Sequence, residues 1–122
     1  MPKQAIPTIS ICIPVFNGED YILNCINSVL EQNFCDYELI IIDNFSTDNT
    51  SKIIQNIKDK RIRYIKNSRN IGSISNFNKC IKEAKGTFFL LLPHDDLLLP
   101  NTLITIAVIN NFIVLEDNGL IF

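Results

Sequence analysis

Glycine is scarce in this chain, four in 122 residues, and no G-x-G-x-x-G follows the first apolar segment, which argues against a dinucleotide-binding domain. Charge of one sign is also lacking. Lys and Arg number 11 against 13 Asp and Glu, for a formal net charge of −2, so no polycationic surface exists to neutralise a run of phosphates. Nucleic acid is therefore not expected as a partner, and an anionic ligand needs a local site. Apolar runs are cut by Pro93, Asp95 and Pro100 well before the roughly 18 residues that span a bilayer, and the opening MPKQAIPT has no apolar h-region. The expected location is the cytoplasm, with peripheral attachment to the inner face of a membrane as the other option. One histidine, His94, and four dispersed cysteines without a C-x-x-C pair supply no zinc set. Cys12, Cys25 and Cys80 lie among apolar neighbours and are expected to be small buried hydrophobes in a reducing compartment.

What is present is alternation. Residues 8–15 (TISICIPV) and 37–43 (YELIIID) are β-branched runs of the kind buried on both faces of a parallel sheet. Between them Tyr21, Ile22, Cys25, Ile26, Val29 and Leu30 recur at helical spacing, with Glu19 and Asp20 placed in the first turn. Ser46, Thr47 and Asp48 are candidate caps for a second helix with Ile53, Ile54 and Ile57 on its apolar stripe. Residues 62–66 (IRYIK) alternate weakly as a third strand. Phe77, Cys80, Ile81 and Ala84 form a third helical stripe closing at Gly86, and Phe88 to Leu92 form a fourth strand. Pro100 fits the first turn of a last helix running to about Asn111, with Leu103, Ile104, Ala107 and Val108 facing the core. Gly119 to Phe122 begins a further strand, and Met1 to Pro7 is expected to fray. Strand alternating with helix without hairpin signals predicts βαβ crossovers, an α/β, Rossmann-like, mostly parallel sheet with helices on both faces. The length fits one domain with one site.

In open α/β sheets the ligand binds beyond the carboxyl ends of the strands. The polar loops fall on that edge: Phe16-Asn17-Gly18-Glu19, Asp43 to Asp48, Asn70-Ile71-Gly72, and His94-Asp95-Asp96. Each alone has an ordinary explanation as a cap, a turn or a pair of solvated carboxylates. Together they converge on one rim, where two adjacent carboxylates after an apolar strand call for a cation.

Four segments in order, ISICIPVFNGEDYILNCINSVLEQ, YELIIIDNFSTDNT, NIGSISNFNKCIKEAKG and FFLLLPHDD, resemble the N-terminal, donor-binding part of family 2 glycosyltransferases of the GT-A fold. The resemblance covers nearly the whole of residues 1–122. It implies a transferase that uses a nucleotide diphosphate sugar, usually of uridine or thymidine, with Mn²⁺ or Mg²⁺. The acceptor would be a glycan or lipid-linked sugar of cell-surface polysaccharide synthesis. By that resemblance Asp96 is a metal ligand, and Asp95 contacts ribose or the metal and its water. Pro14, Phe16 and Glu19 match the nucleoside-lining segment, Asp43 and Asn44 the pair that reads base or ribose, and Asn70 and Gly72 the third loop.

The chain departs from the family pattern at several positions. Asn44 stands where many members carry a second aspartate, and an amide both donates and accepts. Pro93 replaces an additional aspartate, and Phe77 a basic residue, leaving Arg69 or Lys79 for a phosphate. The base that deprotonates the acceptor is expected beyond Phe122, making this the donor half with little turnover by itself and exposed apolar surface favouring self-association. The competing readings are a non-catalytic nucleotide-sugar-binding or scaffold module, and a response-regulator receiver. The receiver requires an acidic cluster where Phe16-Asn17-Gly18 stands.

Overall fold

A computed structural model describes residues 5–110, 114–116 and 119–121. Strands β1 (Ile9–Val15), β2 (Tyr37–Asp43), β3 (Ile62–Lys66) and β4 (Phe88–Leu91) alternate with helices α1 (Ile22–Leu30), α2 (Thr50–Gln55), α3 (Ser73–Glu83) and α4 (Thr102–Ile109). The strands form one parallel sheet in the order β3-β2-β1-β4. The Rossmann-like expectation therefore holds, with the chain reversing direction of growth between β1 and β4.

Period-two alternation divides the core. Ile9, Ile11, Ile13, Leu39 and Ile41 face Ile22, Cys25, Ile26 and Val29 of α1, with Ile54 of α2 and Leu103 and Ala107 of α4. Cys12, Ile40 and Ile42 point the other way, onto Cys80 of α3. Both faces of β1 and β2 are covered, and apart from Ser10, Glu38 and Asp43 those strands are built of apolar and aromatic residues. The edge strand β4 is less enclosed than its apolar run predicts, and Phe89 is 37% exposed.

A proline shapes the ligand edge. The Leu92 N–H reaches Cys12 O at 2.9 Å, the last β1–β4 bond. The next donor along β1 on that side belongs to Pro14, which has no N–H. Pairing stops, and the two strands part at their carboxyl ends.

Several local expectations are corrected. Glu19 and Asp20 precede α1 instead of forming its first turn. The N-cap of α2 is Asn49, not Ser46, Thr47 or Asp48, and Asn49 makes no side-chain cap bond, although Asp48 Oδ1 just before it accepts the Thr50 N–H at 2.9 Å. Ile81 is half exposed, while Asn76 takes a buried place on α3. Gly86 is not a helix terminator, because Ala84 is already extended; the Gly86 N–H instead bonds Ser10 Oγ at 2.7 Å. Gly119–Ile121 is a strand, paired antiparallel with Val114–Glu116; Phe122, Asn111 and Met1 to Gln4 lie outside the described residues.

Cys12 and Cys80, with Cα atoms 5.9 Å apart, form a disulfide joining β1 to α3, so these two are not free thiols as the sequence reading expected. A pairing across 68 residues leaves no local trace in sequence. Cys25 is buried, and burial, reinforced by the charges of Asp96 and Asp95, pushes its thiol up to about 12. Since the thiolate is the reacting form, iodoacetamide at pH about 8 is expected to modify Cys35, which is exposed, and to leave Cys25 untouched. Peptide mapping by mass spectrometry checks this; alkylated Cys25 in the folded protein contradicts the described packing.

Candidate functional site

The loops after β1 and β2 are laced together. Asn17 N–H donates to Ser46 Oγ at 2.9 Å, Thr47 N–H to Asn17 Oδ1 at 2.8 Å, and Gly18 N–H to Thr50 Oγ1 at 2.9 Å. Glu19 belongs to this lacing: its Oε2 accepts the Asn49 N–H at 3.0 Å, and its own N–H reaches Asp48 Oδ2 at 3.2 Å. Partial burial pushes the Asp48 carboxyl upward, but the Thr50 hydroxyl and N–H and the Glu19 N–H outweigh it and hold Asp48 below the usual carboxylate range. Short polar side chains thus fix two loops that carry little apolar anchoring of their own.

Beneath the lacing lies a buried polar network. Asp43, fully buried, accepts the Ser46 N–H on Oδ1 at 2.8 Å and the Tyr64 hydroxyl on Oδ2 at 2.7 Å. Asn44, 4% exposed, uses its whole amide. Its Nδ2 donates to Asn70 Oδ1 at 3.0 Å and Gly72 O at 3.2 Å, while its Oδ1 accepts Asn67 Nδ2 at 3.0 Å and the Ile71 N–H at 2.9 Å. Asn67 also donates to Asn76 Oδ1 at 2.9 Å, and Asn76 Nδ2 reaches Ile42 O at 3.2 Å. Gly72 holds φ 86° and ψ 158°, a region essentially confined to glycine, and this bend presents its carbonyl to Asn44.

Where β1 and β4 part, a crevice of ≈ 230 Å³ opens, lined by Pro14, Val15, Phe16, Asn44, Ser73, Asn76 and His94. This is the switch point of the sheet, the place at which open α/β folds bind ligands. His94 sits hard against Gly18: a Cβ there would lie 2.6 Å from the imidazole Cδ2. Larger hollows lie elsewhere, one of ≈ 470 Å³ at the opposite ends of the strands, where Arg61 and Arg63 are already engaged by Asp59, Glu38 and Glu83.

Asp95 and Asp96 follow His94 and are exposed. Their turn is fixed by Pro93 O, which accepts the Asp96 N–H at 3.0 Å and the Cys25 thiol at 3.5 Å. Among the described residues no three His, Cys, Asp or Glu side chains gather as a metal cage. Two adjacent exposed carboxylates instead suit a hard cation that takes one or two protein oxygens and completes its shell with phosphate and water, so the donor set fits Mg²⁺ or Mn²⁺.

Of the residues singled out in sequence, Pro14, Phe16 and Asn44 line the crevice. Asn70 and Gly72 reach it through Asn44, and Asp43 and Glu19 stand behind it in the frame. His94, Ser73 and Asn76 were not selected as ligand contacts. Asn76 carried a readable signal, a polar residue one turn before the buried Cys80 on the same helical face.

Fold and site together define an α/β domain of the GT-A type, with its crevice at the β1/β4 switch point. The profile of glycosyl transferase family 2 matches residues 10–107, and the chain belongs to that family. It is 34% identical over 105 residues to an uncharacterized protein, MT1568, of Mycobacterium tuberculosis, covering 86% of this chain and 33% of that one. TuaG of Bacillus subtilis, a glycosyltransferase named for teichuronic acid biosynthesis, is 36% identical over 92 residues, 74% of this chain and 36% of its own. The crystal structure of S. aureus TarS 1-349 in complex with UDP superposes with a TM-score of 0.80 at 28% identity, over 86% of this chain and 32% of that chain. The chain thus spans about a third of the length of these relatives.

Proposed function

We propose that residues 1–122 bind the donor of a glycosyl transfer reaction, a uridine or thymidine diphosphate sugar, together with Mn²⁺ or Mg²⁺. The observation that carries this reading is the switch-point crevice with Asp95 and Asp96 beside it. TarS has been crystallised with UDP and with UDP-GlcNAc, which supports a nucleotide-sugar ligand for the similar fold here. In this reading Pro14 and Phe16 form the wall against the nucleoside. Asp96 holds the cation, and Asp95 holds ribose or a metal-bound water. The cation supplies Lewis-acid stabilisation of the leaving diphosphate when bound. The chain's own contribution is orientation: Cys25 and Asp96 N–H fix the turn at Pro93, and the Asn44 network fixes the opposite wall.

For the whole protein we propose transfer of the sugar to a hydroxyl of a cell-surface glycan or lipid-linked acceptor, the general base being supplied outside these residues. The name of TuaG supports that acceptor class. Isothermal titration of UDP and dTDP into the protein with and without Mn²⁺ tests the donor reading. Saturable binding that requires the cation is expected, and equal binding in excess chelator overturns it.

A further inference from the structure

The reading of Asp43 and Asn44 as base readers meets a difficulty of valence. Both Asn44 donors and both its acceptor positions are occupied inside the protein, and both Asp43 oxygens accept internal bonds. Asn44 has no capacity left for the edge of a nucleobase without breaking the network, and Asp43 is fully buried, out of reach of a ligand. Phe45, directly after them, has two unusual features. Its φ is 68°, the left-handed region that bulky residues seldom enter, and its side chain is 45% exposed. Such strain persists only where the surroundings over-determine it. Here they do, because Ser46 N–H is held by Asp43, and Ser46 and Thr47 are held by Asn17.

Phe16 is a second exposed aromatic of the rim, at 44%. The two phenylalanines follow residues bonded to each other, since the Asn44 N–H reaches Val15 O at 2.8 Å. Two exposed rings therefore leave neighbouring strand ends: Phe16 lines the crevice, and Phe45 directly follows Asn44, which lines it with its amide fully used. We infer that Phe45 is a second nucleobase-stacking residue beside Phe16, and that the site accepts uridine and cytidine diphosphates alike. This rests on the donor reading above. Aromatic stacking tolerates changes in base because every base has a π-face. A site that hydrogen-bonded the pyrimidine edge would instead discriminate strongly, since uracil and cytosine present opposite donor and acceptor patterns.

The test is titration of UDP and of CDP, each with Mn²⁺, into the wild type and the Phe45→Gly and Phe45→Tyr variants. UDP and CDP are expected to bind the wild type within about tenfold of each other. Phe45→Gly is expected to weaken both about tenfold, the size of one lost stack, while its melting temperature rises because glycine fits the positive φ. Phe45→Tyr keeps the ring and is expected to bind as the wild type does. A preference for one pyrimidine beyond about tenfold, or unchanged affinity in Phe45→Gly, overturns the inference while the donor reading stands. Failure of both nucleotides to bind the wild type overturns the donor reading and the inference with it.

Discussion

Asp96→Asn is expected to weaken UDP binding in Mn²⁺ by about 100-fold or more, to the level the wild type shows in chelator. The substitution keeps the shape of the side chain and removes the charge that a hard cation requires. Loss of a direct carboxylate ligand withdraws several kcal/mol of electrostatic attraction between the cation and the protein, enough for a change of that size. Because Asp96 is exposed and only its backbone N–H holds the turn, folding stability should move by no more than about 0.5 kcal/mol. Calorimetry and a urea melt on the same preparation separate the two effects. Full Mn²⁺-dependent affinity in the variant removes Asp96 from the metal site; a large loss of stability makes its role structural.

Asn44→Ala is expected to act in the opposite sense, on the fold first. The Ile71 N–H and one Asn67 amide hydrogen have no other acceptor among the described residues, whereas Asn70 Oδ1 and Gly72 O each keep a second donor, Gly72 N–H and Asn76 N–H. Orphaning two buried donors costs about 1–3 kcal/mol each, so a loss of about 3 kcal/mol is a fair expectation. That is a large fraction of a small domain's stability. Urea unfolding at constant m-value measures it. A loss under about 1 kcal/mol shows that water or neighbouring groups replace the amide.

The strands were legible because their signal is short-ranged. β3 was readable as residues 62–66 from weak alternation alone, and β1 and β2 from their β-branched runs. The edges of helices were less so. Glu19 suits a helix start by charge, yet the Asn49 N–H, 30 residues away in sequence, draws its carboxylate into the loop lacing. Of the site, the rim and its loops followed from topology, while Pro14 and Phe16, which line the crevice, were named through the family resemblance. What could not be read was how polar side chains are used. Asp43 and Asn44 have the composition of ligand contacts, and only the folded chain shows that Asp43 is buried against Tyr64 and that Asn67, Asn70 and Ile71 occupy the Asn44 amide. The Cys12–Cys80 bond is the same kind of long-range fact.

The proline at the parting of β1 and β4 bears on ligand entry. A gap between two strands is ordinarily at risk of zipping closed, since exposed N–H and C=O groups pair when they can. Here the β1 donor that would continue the ladder is missing from the covalent structure itself at Pro14. A ligand entering the cleft does not have to break a backbone bond at that position, and its departure does not restore one. The open state is favoured by an imide nitrogen, and little of the binding free energy is diverted to opening the sheet.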